Sequence, residues 1–326
     1  MPSEWAFVSV DMEIANICGA ECLLCPRDSI TRRTGMMTEE TFKAISEKLI
    51  REGSLITFSG MGDPLSHPMV FEWIRELRAG GADVGIVVNP ASLGDNISPA
   101  LVQARPNVIT LSFPSLRKDV FEILCPGTPY DQAIERAMEL INLSAGNVGL
   151  RITGILTEMN QDEHEAYERF WRDMGIPSSM VACHGRGGNV RAPGVYERRD
   201  YGTKTENCGL FRYHTFITWE GNVLACCHDL SGAALLGNLV DSEICEIAAR
   251  KRKMLNDGIS FTVCMQCDEP LRNLNPPIED MPPQNRKERR TFFRKMKLKN
   301  RQQFQNSYAG IARTKKARNT KIVLSL

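Results

Sequence analysis

Between residues 6 and 183, short apolar runs alternate with segments of helical period, and the alternation continues until six strands are in hand. Residues 6–14, 54–59, 84–88, 108–113, 148–156 and 180–183 read as strands, with helices over 38–51, 69–79, 98–104, 130–143 and 162–174. Thr38 is placed to cap the first helix, with Glu39 and Glu40 in its first turn, where the helix dipole favours acids. Val70, Trp73, Ile74 and Leu77 share one face of the second. Strands joined through helices make a parallel sheet, and right-handed crossovers curl that sheet toward a barrel. The predicted class is α/β, a partial (βα)6 barrel. Reactive groups in such folds gather at the C-terminal ends of the strands, and the unusual residues fall there. A cysteine triplet follows strand one, Gly60-Met61-Gly62-Asp63-Pro64 strand two, Asn89-Pro90 strand three, and His184-Gly185-Arg186-Gly187-Gly188 strand six.

The triplet is Cys18, Cys22 and Cys25, in the order C-x3-C-x2-C. Thiolates this close can cap three irons of a cubane cluster, and with no fourth ligand nearby one iron keeps an open coordination position. A zinc site, the structural alternative, wants four nitrogen or sulfur ligands, and the nearest histidine, His67, belongs to a loop beyond the next strand. The chain has eleven cysteines and opens without a basic segment followed by an apolar run, so metal or redox chemistry in a reducing, cytoplasmic compartment is expected rather than a disulfide framework. No stretch approaches the ~18 apolar residues of a membrane span.

Cys18-x3-Cys22-x2-Cys25 followed by Gly60-Met61-Gly62-Asp63-Pro64 resembles the radical S-adenosylmethionine superfamily over roughly residues 6–190. The resemblance implies a [4Fe–4S] cluster on the three thiolates, with the open iron chelating the methionine moiety of S-adenosylmethionine. It also implies an electron donor such as a reductase, flavodoxin or ferredoxin. One-electron cleavage then yields a 5′-deoxyadenosyl radical that abstracts a substrate hydrogen. Gly60 and Gly62 are expected to let backbone approach the cofactor, Met61 lies between them, and Asp63 orders the turn or meets the ammonium group. Asn89, Ser112 and Arg151 are candidate contacts to ribose or carboxylate, and Leu24 stands where the family commonly has an aromatic residue against the adenine. The strand-six glycine segment reads either as a backbone contact to adenine or as a plain loop.

A second set follows: Cys208, Cys226 and the pair Cys264-x2-Cys267. It resembles a shortened SPASM/Twitch extension, which implies a second, auxiliary [4Fe–4S] cluster; a four-cysteine zinc ribbon is the alternative. A hairpin turning at Glu220-Gly221-Asn222 and a helix over 242–256 complete a small α+β unit. The expected domains are a core over 1–200, the auxiliary-cluster unit over 201–275 and a basic tail over 276–326. Of the remaining thiols, Cys183 and Cys245 are expected as small buried hydrophobes. Cys227 adjoins Cys226 and is expected to point oppositely on a strand, so it is a hydrogen-atom donor to a substrate radical, a packing group or an alternative cluster ligand. Cys125 is a second donor candidate.

Residues 281–326 hold fourteen Lys or Arg against Glu288 alone, leaving residues 1–280 at −12 within a whole-chain charge of +1. Such a tail suits an anionic partner, nucleic acid or an acidic peptide, or lies on the acidic body of its own chain. The function expected is hydrogen abstraction from a peptide or carbohydrate-like carbon, with epimerisation ahead of dehydrogenation or peptide cross-linking. A non-enzymatic Fe–S or zinc protein binding nucleic acid through the tail is the rival of another class.

Overall fold

The computed structural model describes residues 7–94, 96–198, 208–269, 285, 287–291 and 294–295. Six strands, β1 (Ser9–Met12), β2 (Leu55–Phe58), β3 (Asp83–Val88), β4 (Val108–Ser112), β5 (Gly149–Leu156) and β6 (Ser178–Ala182), pair in parallel in chain order. Helices α1 (Glu39–Glu52), α2 (Val70–Ala79), α3 (Ile97–Ala104), α4 (Lys118–Leu124), α5 (Tyr130–Ser144) and α6 (His164–Asp173) fill the crossovers. The fold is the predicted partial barrel. Thr38 caps α1, its hydroxyl accepting from the Thr41 N–H, and Gly53 ends it in the left-handed region at φ 79°. No helix among the described residues is long and apolar enough to cross a membrane.

The helices hold to the sheet through the faces their periodicity sets. Phe42 of α1 stacks on Trp73 of α2 with ring centres 4.2 Å apart, and both are buried. Under the end of β4, Phe113, Phe121, Tyr130 and Trp171 meet edge-on or tilted. Each such side chain stabilises the fold by ~1.5–3 kcal/mol of burial. Helix α4, seven residues long and beginning four positions after Pro114, is not anticipated by sequence reading.

Beyond the barrel come α7 (Gly209–Tyr213), β7 (His214–Ile217), β8 (Asn222–Leu224), β9 (Leu235–Asn238), α8 (Ile244–Asp257) and α9 (Thr262–Met265). The expected hairpin is β7 with β8, antiparallel with Phe216 opposite Leu224. Its strands do not form a sheet of their own. β7 lies parallel to β1, with Ser9 opposite His214 and Met12 opposite Ile217, so one sheet runs β6-β5-β4-β3-β2-β1-β7-β8-β9. The physical reason is the open edge of β1, whose unpaired backbone groups need partners. Lys48 of α1 fastens the join, donating to the carbonyls of Leu239, Val240 and Ser242 at 2.8, 3.2 and 3.1 Å.

Part of the basic tail is docked on the body. Arg289 is buried beside Asp83 at the start of β3, 3.4 Å away, and also donates to the Gly53 carbonyl, while Arg290 donates to the Gly81 carbonyl at 3.2 Å. The tail's sequence is partly helix-compatible over 286–302, and that stretch and the rest of 276–326 lie largely outside the described residues.

Candidate functional site

Glu13, just past β1, organises the mouth of the barrel. It is fully buried and accepts from both terminal nitrogens of Arg32, at 2.5 Å and 2.7 Å. Its Oε2 also accepts from the Met61 N–H at 3.0 Å. One carboxylate therefore ties the end of β1, the loop after the cysteine triplet and the glycine turn after β2. Sequence reading passes over Glu13; the signal that points to it is an acid at the buried end of an apolar strand. Glu13→Ala leaves the Arg32 guanidinium buried and unpaired, and is expected to cost about 3–5 kcal/mol. Thermal unfolding checks this, and an unchanged melting temperature would show that the pair does not hold the turn.

The triplet sits on a loop pinned from two sides. Arg27 donates to the carbonyls of Cys18 and Ala20 at 2.6 and 3.1 Å, and the Leu23 N–H donates to the Leu124 carbonyl at 2.9 Å. The Cys25 N–H closes the turn onto the Cys22 carbonyl at 3.0 Å. A hydrogen bond from the Cys125 thiol, aided by Arg27 and Arg186, lowers the Cys22 thiol below its ordinary value. Cys125 moves up for the matching reason, its hydrogen being held by Cys22 in a buried position. Burial raises Cys18, against the Ala20 N–H, which points at its sulfur from 3.3 Å.

Cys18, Cys22 and Cys25 line one cavity of about 340 Å³ with Leu24, Gly60, Met61, Gly62, Asp63, Asn89, Ser112, Cys125 and Arg186. Arg151 is not among its lining residues; it lies lower on β5, beside Thr110 of β4, and donates to Ser179 Oγ at 3.0 Å. The glycines have a different reason from the one expected. A Cβ on Gly60 would lie 2.6 Å from Glu13 Cγ, and one on Gly62 would lie 2.3 Å from the Ala15 carbonyl oxygen. They let the turn approach the protein's own chain. Asp63 orders that turn, its Oδ1 accepting from the Leu65 N–H at 2.9 Å, and burial raises its carboxyl above the usual range. Asn89 likewise caps a short turn, accepting from the Ser92 N–H at 3.2 Å. Leu24 packs against a small apolar cluster of Val120, Leu124, Ala192 and Val195.

Cys208, Cys226, Cys264 and Cys267, drawn from three separate stretches of chain, line a second, small cavity with Phe211, Val263, His228 and Glu269. The Phe211 N–H faces the Cys208 sulfur at 3.5 Å and the Glu269 N–H faces the Cys267 sulfur at 3.4 Å. Burial raises the Cys226 thiol well above its ordinary value. Four thiols around one cavity, with backbone N–H groups aimed at two of the sulfurs, fit a fully ligated iron–sulfur cluster; three thiols beside an open cavity fit one with a free iron. Cys227 is pushed up to about 12, first by burial and then by Asp11, with Arg186 opposing. It carries its hydrogen at neutral pH; because β8 ends at Leu224, Cys226 and Cys227 lie beyond the strand, Cys227 in a turn, so the strand alternation expected to set its direction does not apply. Cys183 is buried as expected, whereas Cys245 is exposed, because the helical period of α8 turns Ile244, Ile247, Ala248 and Lys251 inward instead.

The strand-six glycine segment docks the extension on the barrel. The Gly185 N–H donates to Asp268 Oδ1 at 2.7 Å, and a Cβ on Gly187 or Gly188 would lie 2.5 Å from Val263 or Gln266. Arg186, at φ 45°, is the member of that segment that reaches the first cavity. At the junction, Glu269 Oε2 lies 3.1 Å from His184 Nε2 and 3.5 Å from His228 Nε2. Burial lowers both imidazoles, His184 to about 4. Nothing in the sequence brings these three residues together, since each comes from a different segment.

Residues 12–170 match the family model described as the radical SAM superfamily, and residues 208–268 match the model described as an iron-sulfur cluster-binding domain, SPASM. The chain is similar to the tungsten-containing aldehyde ferredoxin oxidoreductase cofactor-modifying protein of Pyrococcus furiosus, 26% identical over 179 residues. That match spans 52% of this chain and 50% of the relative, so the chain covers about half the relative's length. SuiB of Streptococcus suis bound to precursor peptide SuiA has the same fold, with TM-score 0.61 at 14% identity over 80% of this chain and 69% of that one. anSMEcpe with bound AdoMet superposes at 0.58 and 15% identity over 79% and 88% of the two chains. BtrN in complex with AdoMet and 2-DOIA superposes at 0.54 and 17% over 81% and 93%.

Proposed function

Because this chain belongs to the radical SAM superfamily and carries a SPASM iron–sulfur domain behind its barrel, we propose that it epimerises a carbon of a peptide or carbohydrate-like substrate. The observation that supports the reading is the spare thiol of Cys227, which adjoins the cage thiol Cys226 and feels the charge of Arg186, a residue lining the cofactor cavity. When bound, the three-thiolate cluster and S-adenosylmethionine supply the radical that removes a substrate hydrogen. In the proposed scheme Cys18, Cys22 and Cys25 hold that cluster, and Gly60, Met61, Gly62 and Asp63 shape the floor on which the methionine moiety rests. Asn89, Ser112 and Leu24 border the ribose and adenine. Cys227 then gives its sulfur-bound hydrogen atom to the substrate carbon from the other side. The thiyl radical left behind is returned to the thiol by one electron from the external reductase, flavodoxin or ferredoxin donor and one proton from solvent, so the new hydrogen comes ultimately from solvent. Cys125, hydrogen-bonded to Cys22, is the second donor candidate and lines the chamber itself.

A peptide substrate is supported by the solved structures of the same fold that hold peptides, SuiB with SuiA and anSMEcpe with Kp18Cys peptide. Dehydrogenation or cross-linking is the second reading, favoured by the four-cysteine cage, which gives an electron acceptor a place beside the chamber. Turnover in deuterated water separates the two. Wild type is expected to incorporate one deuterium per product, and Cys227→Ala to lose that incorporation while still consuming S-adenosylmethionine. Unchanged product and deuterium in Cys227→Ala would remove the donor role. Product lighter by two hydrogens would favour dehydrogenation or cross-linking.

A further inference from the structure

Lys251 lies on the inward face of α8 with Ile244, Ile247 and Ala248, and only 1% of it is exposed. Its ammonium donates to the His214 carbonyl at 2.7 Å and to Thr215 Oγ1 at 3.0 Å, and lies 5.3 Å from the centre of the Phe211 ring. All three are neutral, and among the described residues no carboxylate pairs with this ammonium. A dry cation without an anion is expensive, by several kcal/mol even after relaxation. Burial accordingly pulls the Lys251 ammonium down to about 7, and the groups that oppose this and favour its charged form are sulfurs, Cys226 and Cys208. Phe211, whose ring it overlies, lines the four-cysteine cavity and presents its N–H to the Cys208 sulfur.

We propose that Lys251 is the counter-cation of the cluster held by Cys208, Cys226, Cys264 and Cys267, and that its charge raises that cluster's reduction potential. The inference rests on reading those four thiolates as the ligands; it does not depend on which reaction the enzyme performs. A four-thiolate [4Fe–4S] centre is anionic and becomes more so when reduced. A fixed cation in a dry surrounding therefore stabilises the reduced form more than the oxidised one. The cation cannot wander, because its acceptors His214 and Thr215 belong to β7, and β7 is locked onto β1 by the sheet. The lysine thus puts the barrel's own sheet in charge of the auxiliary centre's electrostatics.

The test uses full-length protein in which Cys18, Cys22 and Cys25 are alanine, so that the auxiliary centre is read alone by redox titration followed by electron paramagnetic resonance. Lys251→Met keeps the length of the side chain and removes its charge. The expected result is an undiminished iron content of about four per chain, with a tenfold or larger fall in the equilibrium constant for one-electron reduction, equivalent to about 59 mV. An unchanged potential at full iron content overturns the proposal. If Lys251→Met takes up no iron, Lys251→Arg decides. A loaded centre near the wild-type potential supports the charge; lost iron or a lowered potential overturns it. Cys264→Ala in the same background tests the premise separately. Loss of the iron supports it, whereas a retained centre with the same potential overturns the premise and the proposal with it.

Discussion

Replacing Cys18, Cys22 and Cys25 together by alanine is expected to halve the iron of the reconstituted protein, from about eight to about four per chain, and to reduce 5′-deoxyadenosine formation to background. Iron analysis and chromatography of the reaction with S-adenosylmethionine and dithionite measure both. The argument is one of position: these three thiols share one wall of the first cavity, whereas the other four ligand candidates share a second. Cys125 makes the prediction sharper. It is hydrogen-bonded to Cys22 and lines the same cavity, so it is the group that would close the open coordination site if it were a fourth ligand. Cys125→Ala is expected to leave the iron content unchanged. Were that variant to lose the cluster as completely as the triple alanine, the open iron and the reaction built on it would both be wrong.

Gly62→Ala is expected to be the most damaging single methyl group that can be added to the mouth of the barrel. The new Cβ would stand 2.3 Å from the Ala15 carbonyl oxygen and 2.6 Å from both Asn16 Cα and Ile17 N. All three are backbone atoms, so no side chain can rotate away. Overpacking of this kind costs about 1–3 kcal/mol or more, which in a chain of this size lowers the melting temperature by several degrees at about 2–4 °C per kcal/mol. The displaced segment leads directly into Cys18, so uptake of the first cluster is expected to fall as well. Gly19→Ala is the control. It sits inside the triplet loop, yet its added Cβ would meet nothing within 4 Å, and a change within about ±0.5 kcal/mol is expected. Equal melting temperatures for the two variants would show that the turn after β2 yields easily, against the close approach seen here.

The barrel's strands could be read as short apolar runs, because strands such as β3 are buried on both faces, and most of its helices from a 3.6-residue period, because each buries one face. Helix α4 lies outside the elements read, and so does strand β9, in which Leu236 is the one buried residue and no alternation shows. The ligand candidates were legible for a related reason. A cluster loop draws its thiols from neighbouring residues, so Cys18, Cys22 and Cys25 show as a spacing. Cys264 and Cys267 do too, while Cys208 and Cys226 were found by likeness to a family pattern rather than by any local rule. Arg151 shows where this reading fails: its strand was right, but its height in the barrel places it below the cavity rather than in its lining.

By itself, then, the sequence determined the αβ alternation, the two sets of cysteines and the class of cofactor they imply, because all of these are written in spacings along the chain. Only the tertiary structure decided what surrounds them. The Glu13–Arg32 pair under the glycine turn, the bond of Asp268 to Gly185, the meeting of His184, His228 and Glu269, and the buried Lys251 each join distant segments. The last three share a cause in the pairing of β7 with the open edge of β1, which makes the extension a continuation of the barrel sheet. That pairing is chosen by unsatisfied backbone groups and by packing. Those forces act between residues about two hundred positions apart, and no local pattern records them.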